Sequence, residues 1–107
     1  MEAAVKLSHT SALILQTIGA GYVYGFDIMD VTGLPSGTIY PALRRLEKDS
    51  MILGSWEDRR SAFSQDRPAR RFYRLTRQGK DTLSGALRRY PLLARLAPAT
   101  KEKPVRR

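Results

Sequence analysis

The chain has 107 residues, room for one compact domain, and its 42% hydrophobic content is that of a folded protein rather than a disordered one. It has no cysteine, which excludes disulfides, thiolate metal sites and cysteine nucleophiles. Its formal net charge of +9 points to a polyanionic partner, and the charge is uneven: residues 1–35 sum to −2 and residues 88–107 to +6.

The start, MEAAVKLSH, lacks the charged and apolar regions of a secretory signal, and no apolar run approaches membrane-spanning length. A cytoplasmic protein with no membrane partner is expected. From Ser8 to Ala20, Ile14, Leu15 and Ile18 form a helical stripe, with Ser8 as cap and Gly19 and Gly21 as stops. A second short helix is expected from about Gly25 to Val31, with Phe26, Ile28 and Met29 inward. Thr32-Gly33-Leu34-Pro35 then reads as a turn.

The third helix is expected from about Ser36 to Asp49. Ile39, Ala42, Leu43 and Leu46 share one side, and Pro41, Arg44, Arg45 and Lys48 the other. Its cap is either Ser36, which puts Pro41 in the second turn, or Thr38, which puts it in the first. Met51 to Trp56 and Phe72 to Leu75 read as two strands, and Thr76 caps a last helix. Between the strands Asp58 to Ala69 is polar and aperiodic, a long mobile hairpin tip. The last helix carries Leu83, Ala86, Leu87 and Tyr90. Pro91 should break or kink it, with Leu92, Leu93 and Leu96 continuing the apolar face.

This order points to a mainly helical α+β chain: a winged helix-turn-helix of three helices and a two-stranded wing, with one C-terminal helix appended, for which a dimerisation role is expected. The expected division is DNA binding over 1–76, dimerisation over 77–97 and a basic disordered tail over 98–107, with cations Lys101, Lys103, Arg106 and Arg107. A basic helix followed by a wing suits double-stranded DNA. Arg44, Arg45 and Lys48 can grip guanine edges or phosphates, and Ser36, Thr38 and Tyr40 lie near the start of the same helix, where hydroxyls suit phosphates. Arg59, Arg60, Arg67, Arg70 and Arg71 lie in or beside the wing, within reach of a minor groove or backbone. The plainer reading of the charged residues is a solvated face, and that of Tyr40 is packing against the wing.

YGFDIMDVTGLPSGTIYPALRRLEKDSMI followed by RRFYRLTRQGKDTL resembles the PadR family of bacterial winged-helix transcription regulators. The likeness spans roughly residues 9–87. It rests on Tyr24-Gly25-Phe26, on the run Gly37 to Leu43, and on Tyr73-Arg74-Leu75-Thr76 with Gly79. The resemblance, to the short branch without a large C-terminal domain, implies a homodimeric DNA-binding repressor paired through the last helix, often assisted by the first. Leu83, Leu87, Tyr90, Leu93 and Leu96 are the residues expected to pair. Ser50 departs from the family's usual glycine after the recognition helix. The only tryptophan, Trp56, lies at the wing base rather than on the last helix, where drug-binding members stack their ligands.

No cofactor and no enzymatic activity are expected: one histidine and no Gly-rich phosphate loop leave acid–base and phosphoryl chemistry without a cast. His9 could join a metal site only with carboxylates such as Glu2 or Asp81. Tyr22, Tyr24 and Phe26 are either ordinary core or the lining of an effector pocket. The other readings open to these residues are a ligand- or metal-responsive sensor, and a protein-interaction or RNA-binding module without a specific operator.

Overall fold

The structure is a computed structural model that describes residues 7–101. Glu2 and the tail cations Lys103, Arg106 and Arg107 lie outside the described residues. The first helix, α1 (His9–Gly19), starts where the Ser8 hydroxyl accepts from the Ser11 N–H at 3.0 Å. It ends at Gly21, whose φ of 107° lets the Tyr22 N–H turn back to the Thr17 carbonyl at 3.2 Å. The next, α2 (Gly25–Thr32), stops at Gly33 with φ 75°. Ile28 enters the core and Met29 packs beside it, but Phe26, expected to point inward, is 64% exposed. A helix of eight residues presents only a narrow inward stripe, and Ile28 occupies it.

Helix α3 (Ser36–Lys48) has Pro35 at its N-cap, so neither Ser36 nor Thr38 is the cap. The Pro35 carbonyl accepts from the Thr38 and Ile39 N–H groups at 2.9 and 3.0 Å. Pro41 therefore lies in the second turn, and the Gly37 carbonyl loses its helical donor at an exposed position that water can serve. Ile39, Ala42, Leu43 and Leu46 are buried against Ile14, Leu15 and Ile18 of α1 and Ile28 of α2. The helix closes on a Schellman turn. The Met51 N–H donates to the Leu46 carbonyl at 2.9 Å and the Ser50 N–H to that of Glu47 at 3.1 Å, with Ser50 held at φ 62° despite its side chain.

Strands β1 (Ile52–Trp56) and β2 (Arg71–Leu75) pair antiparallel, from Ile52 opposite Leu75 to Trp56 opposite Arg71. Tyr24 bridges to Phe72, and the Tyr73 N–H donates to the Val23 carbonyl at 3.0 Å, which ties the α1–α2 link to the free edge of β2. The hairpin tip is not an aperiodic loop. It contains α4 (Arg59–Ser64), capped by Asp58 and closed by Asp66 at φ 57°, with Ala62 buried.

Helix α5 (Arg77–Arg89) breaks at Tyr90, and Pro91 opens α6 (Pro91–Ala94). The break turns the chain back, so that Leu93 is 3% exposed and its carbonyl accepts from the buried Gln16 amide of α1 at 3.1 Å. Leu93, expected to pair two copies, is thus core of this chain itself, while Leu92 and Leu96 are 72% and 60% exposed. Beyond α6 the chain returns to α1. The Lys101 N–H donates to the Ala20 carbonyl at 2.8 Å and its ammonium lies 3.5 Å from Asp27, so Lys101 is held rather than free in a tail.

These parts meet at the start of α5. The Thr76 hydroxyl donates to the Ser50 carbonyl at 2.7 Å and accepts from the Gly79 N–H at 2.9 Å. The Thr76 N–H donates to the Met51 carbonyl at 3.0 Å. Gly79 is buried so tightly against Met51 that a methyl group would overlap the Met51 carbonyl oxygen. Gly79→Ala is expected to cost at least about 1–3 kcal/mol, because backbone must move to admit the methyl. Urea unfolding measures this, and an unchanged midpoint would contradict the close approach.

Candidate nucleic-acid interface

Burying Ile39, Ala42, Leu43 and Leu46 turns the opposite side of α3 to solvent. Arg44, Arg45 and Lys48 stand there exposed, and among the described residues none makes an ion pair or a side-chain hydrogen bond. Three unpaired cations in just over one turn of a rigid helix form a fixed positive strip. Ser36 is exposed at the first helical position and Thr38 is half-buried. Tyr40 leans toward α2: a Cβ at Gly25 would lie 2.7 Å from its hydroxyl, and 39% of the residue remains exposed. Its hydroxyl is thus placed beside the start of α2.

The wing cations fall into two groups. Arg59 and Arg60, on α4, are exposed and make no side-chain bond among the described residues. The other three are engaged within the fold. Arg67 grips Glu57 with two nitrogens, at 2.6 and 3.1 Å. Arg70 adds a contact to the same carboxylate at 3.3 Å, its backbone N–H donates there at 3.0 Å, and its guanidinium lies 4.0 Å above the Tyr24 ring. The Tyr24 hydroxyl donates to Glu57 at 2.9 Å. Arg71 pairs with Glu47 on the flank of α3. Gly54, between them, leaves the room: a Cβ there would lie 2.7 Å from the Arg71 guanidinium and 2.8 Å from the Glu47 carboxylate.

Glu57 is the hub of the wing base. Its carboxyl is held well below the usual carboxylate range, first by the Arg67 hydrogen bonds and then by the Arg70 N–H, the Arg70 guanidinium and Tyr24. Burial, and then the hydrogen bond to that carboxylate, pushes the Tyr24 hydroxyl up. The Glu47 carboxylate raises the Arg71 guanidinium.

Sequence reasoning missed Glu57 and Glu47. Both acids precede the wing's arginine run, Glu47 on α3 and Glu57 at the end of the first strand, with nothing in the spacing to name the partners. It also missed the groove at the wing tip, lined by Trp56, Ala62, Phe63, Arg59, Arg67 and Ala69. Tyr22, Tyr24 and Phe26 do not converge on an effector pocket. Tyr24 serves Glu57, Phe26 faces solvent, and Tyr22 lies beneath the Lys101 ammonium at 5.8 Å. His9 is exposed with its ring 5.1 Å from that of Tyr90, and no group of three or more metal-ligating side chains occurs among the described residues. No helix among them is long and apolar enough to cross a membrane.

The profile of the family described as Transcriptional regulator PadR-like matches residues 14–85, from the middle of α1 into α5. Among solved structures, a PadR family transcription regulator from Clostridium difficile superposes with a TM-score of 0.69 at 24% identity, over 83% of this chain and 94% of that one. A PadR-like transcriptional regulator from Bacillus cereus gives 0.63 at 25% identity, over 79% and 84% of the two chains. A transcriptional regulator from Streptococcus also gives 0.63, at 27% identity and the same coverage. No curated protein matches the chain significantly.

Because Glu57 titrates lower folded than unfolded, its hub contributes stability that is complete at neutral pH and is lost as pH falls below about 5. Trp56, the one tryptophan, adjoins the hub and reports on the wing. The urea midpoint read from its fluorescence should fall on acidification in the parent and much less in Glu57→Gln. Parallel pH curves for the two proteins would contradict the hub.

Proposed function

The chain belongs to the PadR-like family of transcriptional regulators and is a DNA-binding regulator, not an enzyme, and from that premise we propose that it is a repressor that binds an inverted-repeat operator as a homodimer. In this reading α3 enters the major groove, with Arg44 central, Arg45 and Lys48 beside it, and Ser36 and Thr38 near the backbone at its start. The observation that carries the reading is the division among the cations. Among the described residues, those on α3 and α4 face solvent without acidic partners, whereas Arg67, Arg70 and Arg71 are consumed in holding the wing. Free cations neutralise phosphates and grip base edges; paired ones position the element that carries the free ones. Arg67, Arg70 and Arg71 therefore act as supports, and Arg59 and Arg60 as the wing's contacts.

Dimerisation falls to residues 77–97, but on a surface altered by the break at Pro91. Leu83 packs on the core and Leu93 lies within it. Half-buried Leu87 and Tyr90, with exposed Leu92 and Leu96, form the apolar side left for a partner copy. Pairing there would fix the distance between two α3 helices, which must sit about 34–36 Å apart to read adjacent turns of one DNA face. An effector that altered this distance would release the operator.

Selection of bound fragments from random duplex DNA tests the reading, with an inverted repeat as the expected product. On the selected duplex, Arg44→Ala should weaken binding by roughly 1–3 kcal/mol and relax preference at one base pair per half-site. Equal loss on selected and random DNA would reduce Arg44 to a phosphate contact.

Each leucine buried in the pairing surface contributes about 1.5–3 kcal/mol. Leu92→Glu with Leu96→Glu should therefore yield a monomer of unchanged helical content that binds half-sites weakly, as read by sedimentation and circular dichroism. A variant that still sediments as a dimer would move the interface elsewhere.

A further inference from the structure

The hairpin tip carries the most exposed large apolar residue among the described residues. Phe63 on α4 is 84% exposed and Trp56 at the end of β1 is 65% exposed. The two rings line one groove, with Ala62 and Ala69 beside them and Arg59 and Arg67 at its rim. Chain ends and mobile loops often expose single apolar groups, but Phe63 is on neither. Its helix is capped by Asp58, closed by a turn in which the Arg67 N–H donates to the Ala62 carbonyl at 3.2 Å, and tied to the wing base by the Arg67–Glu57 pair. An aromatic ring is thus held out into solvent on a supported platform.

The strand register shows which way the groove opens. Trp56 is directly opposite Arg71 and so shares its face of the hairpin, and Arg71 reaches Glu47 on α3. The aromatic groove therefore continues, along one face of the wing, from the flank of the cationic strip of α3. Arg59 and Arg60, unpaired among the described residues, sit one helical turn before Phe63 on the same short helix. Apolar ring and free guanidinium together match the minor groove, whose walls are apolar deoxyribose rings and whose rims are phosphates.

We propose that Phe63 is a wedge that enters the minor groove flanking the α3 site and opens a base step there, with Trp56 against the adjoining sugar. The proposal rests on the reading of α3 as the major-groove element and adds to it a means of bending the DNA. Arg59 and Arg60 hold the phosphates on either side, and flexible pyrimidine–purine steps at the flank are favoured because they open at least cost.

The test uses the full chain and the duplex recovered by selection, labelled with 2-aminopurine either at the flank or at the centre of a half-site. The parent should raise the flank fluorescence on binding and leave the centre unchanged, and end-labelled duplex should show a bend. Phe63→Ala should abolish both signals and weaken binding about 10-fold without altering the salt slope, since no charge is removed. Phe63→Leu should restore most of the bend, because an aliphatic wedge also separates bases. Normal binding, bending and flank fluorescence in Phe63→Ala would overturn the wedge while leaving the α3 reading intact. A parent that selects no duplex would overturn both. A shift in sedimentation of DNA-free Phe63→Ala from dimer to monomer would overturn the wedge and assign the groove to a second copy of the chain.

Discussion

The contact of Gly79 and Thr76 with the Ser50–Met51 backbone governs the geometry of the rest. At this one place the end of α3, the start of β1, the end of β2 and the start of α5 are joined by the Thr76 hydroxyl, the Thr76 N–H and a glycine pressed against a carbonyl. A side chain at residue 79 would separate α5 from the α3–β1 turn. A helix-breaking turn other than the Schellman turn at Ser50 would re-aim the wing. The cationic strip of α3 and the apolar end of the chain are therefore fixed relative to each other by short backbone contacts rather than by long flexible side chains, which suits the proposed pairing of two α3 helices at one spacing.

Around that joint, charge is divided by task. Glu57 takes up Arg67 and Arg70 and Glu47 takes up Arg71, arginines that would otherwise repel one another at the wing base. Beyond the pH-dependent stability of the Glu57 hub, the effect of these pairs is positional. What they determine is the angle at which the hairpin leaves the body, and hence where α4, with Arg59, Arg60 and Phe63, is carried. The neutralised arginines also leave the free cations of α3 and α4 as two separate positive patches instead of one diffuse field.

Much of the architecture was legible from local chemistry. Ser8, Gly33 and Thr76 announce helix ends because a cap or a left-handed residue acts on neighbours three or four positions away. The cationic side of α3 follows from a period of 3.6 residues. The rest depends on distant partners. Pro35 displaced both candidate caps because its carbonyl, not a side chain, starts the helix. The six residues of α4 are too few to show a period, and its stability comes from Asp58 and the burial of Ala62. Leu93 was read on the wrong surface because Pro91 turns the chain back onto α1, where Gln16 meets it across 77 residues. The pairing of Glu57 with Arg67 and of Glu47 with Arg71 joins residues that no spacing rule connects. For the same reason, five wing arginines that look equivalent in sequence divide, among the described residues, into paired and unpaired side chains only in three dimensions.

The central claim is that the cationic side of α3 faces guanine edges in the major groove while the wing tip occupies the neighbouring minor groove. Methylation interference on the selected operator addresses this directly, because one reagent marks guanine N7 in the major groove and adenine N3 in the minor groove. The account predicts that methyl groups at guanine N7 block binding within each half-site and that those at adenine N3 block it only at the flanks. Interference confined to adenine N3, or none at guanine N7 anywhere in the half-sites, would contradict it.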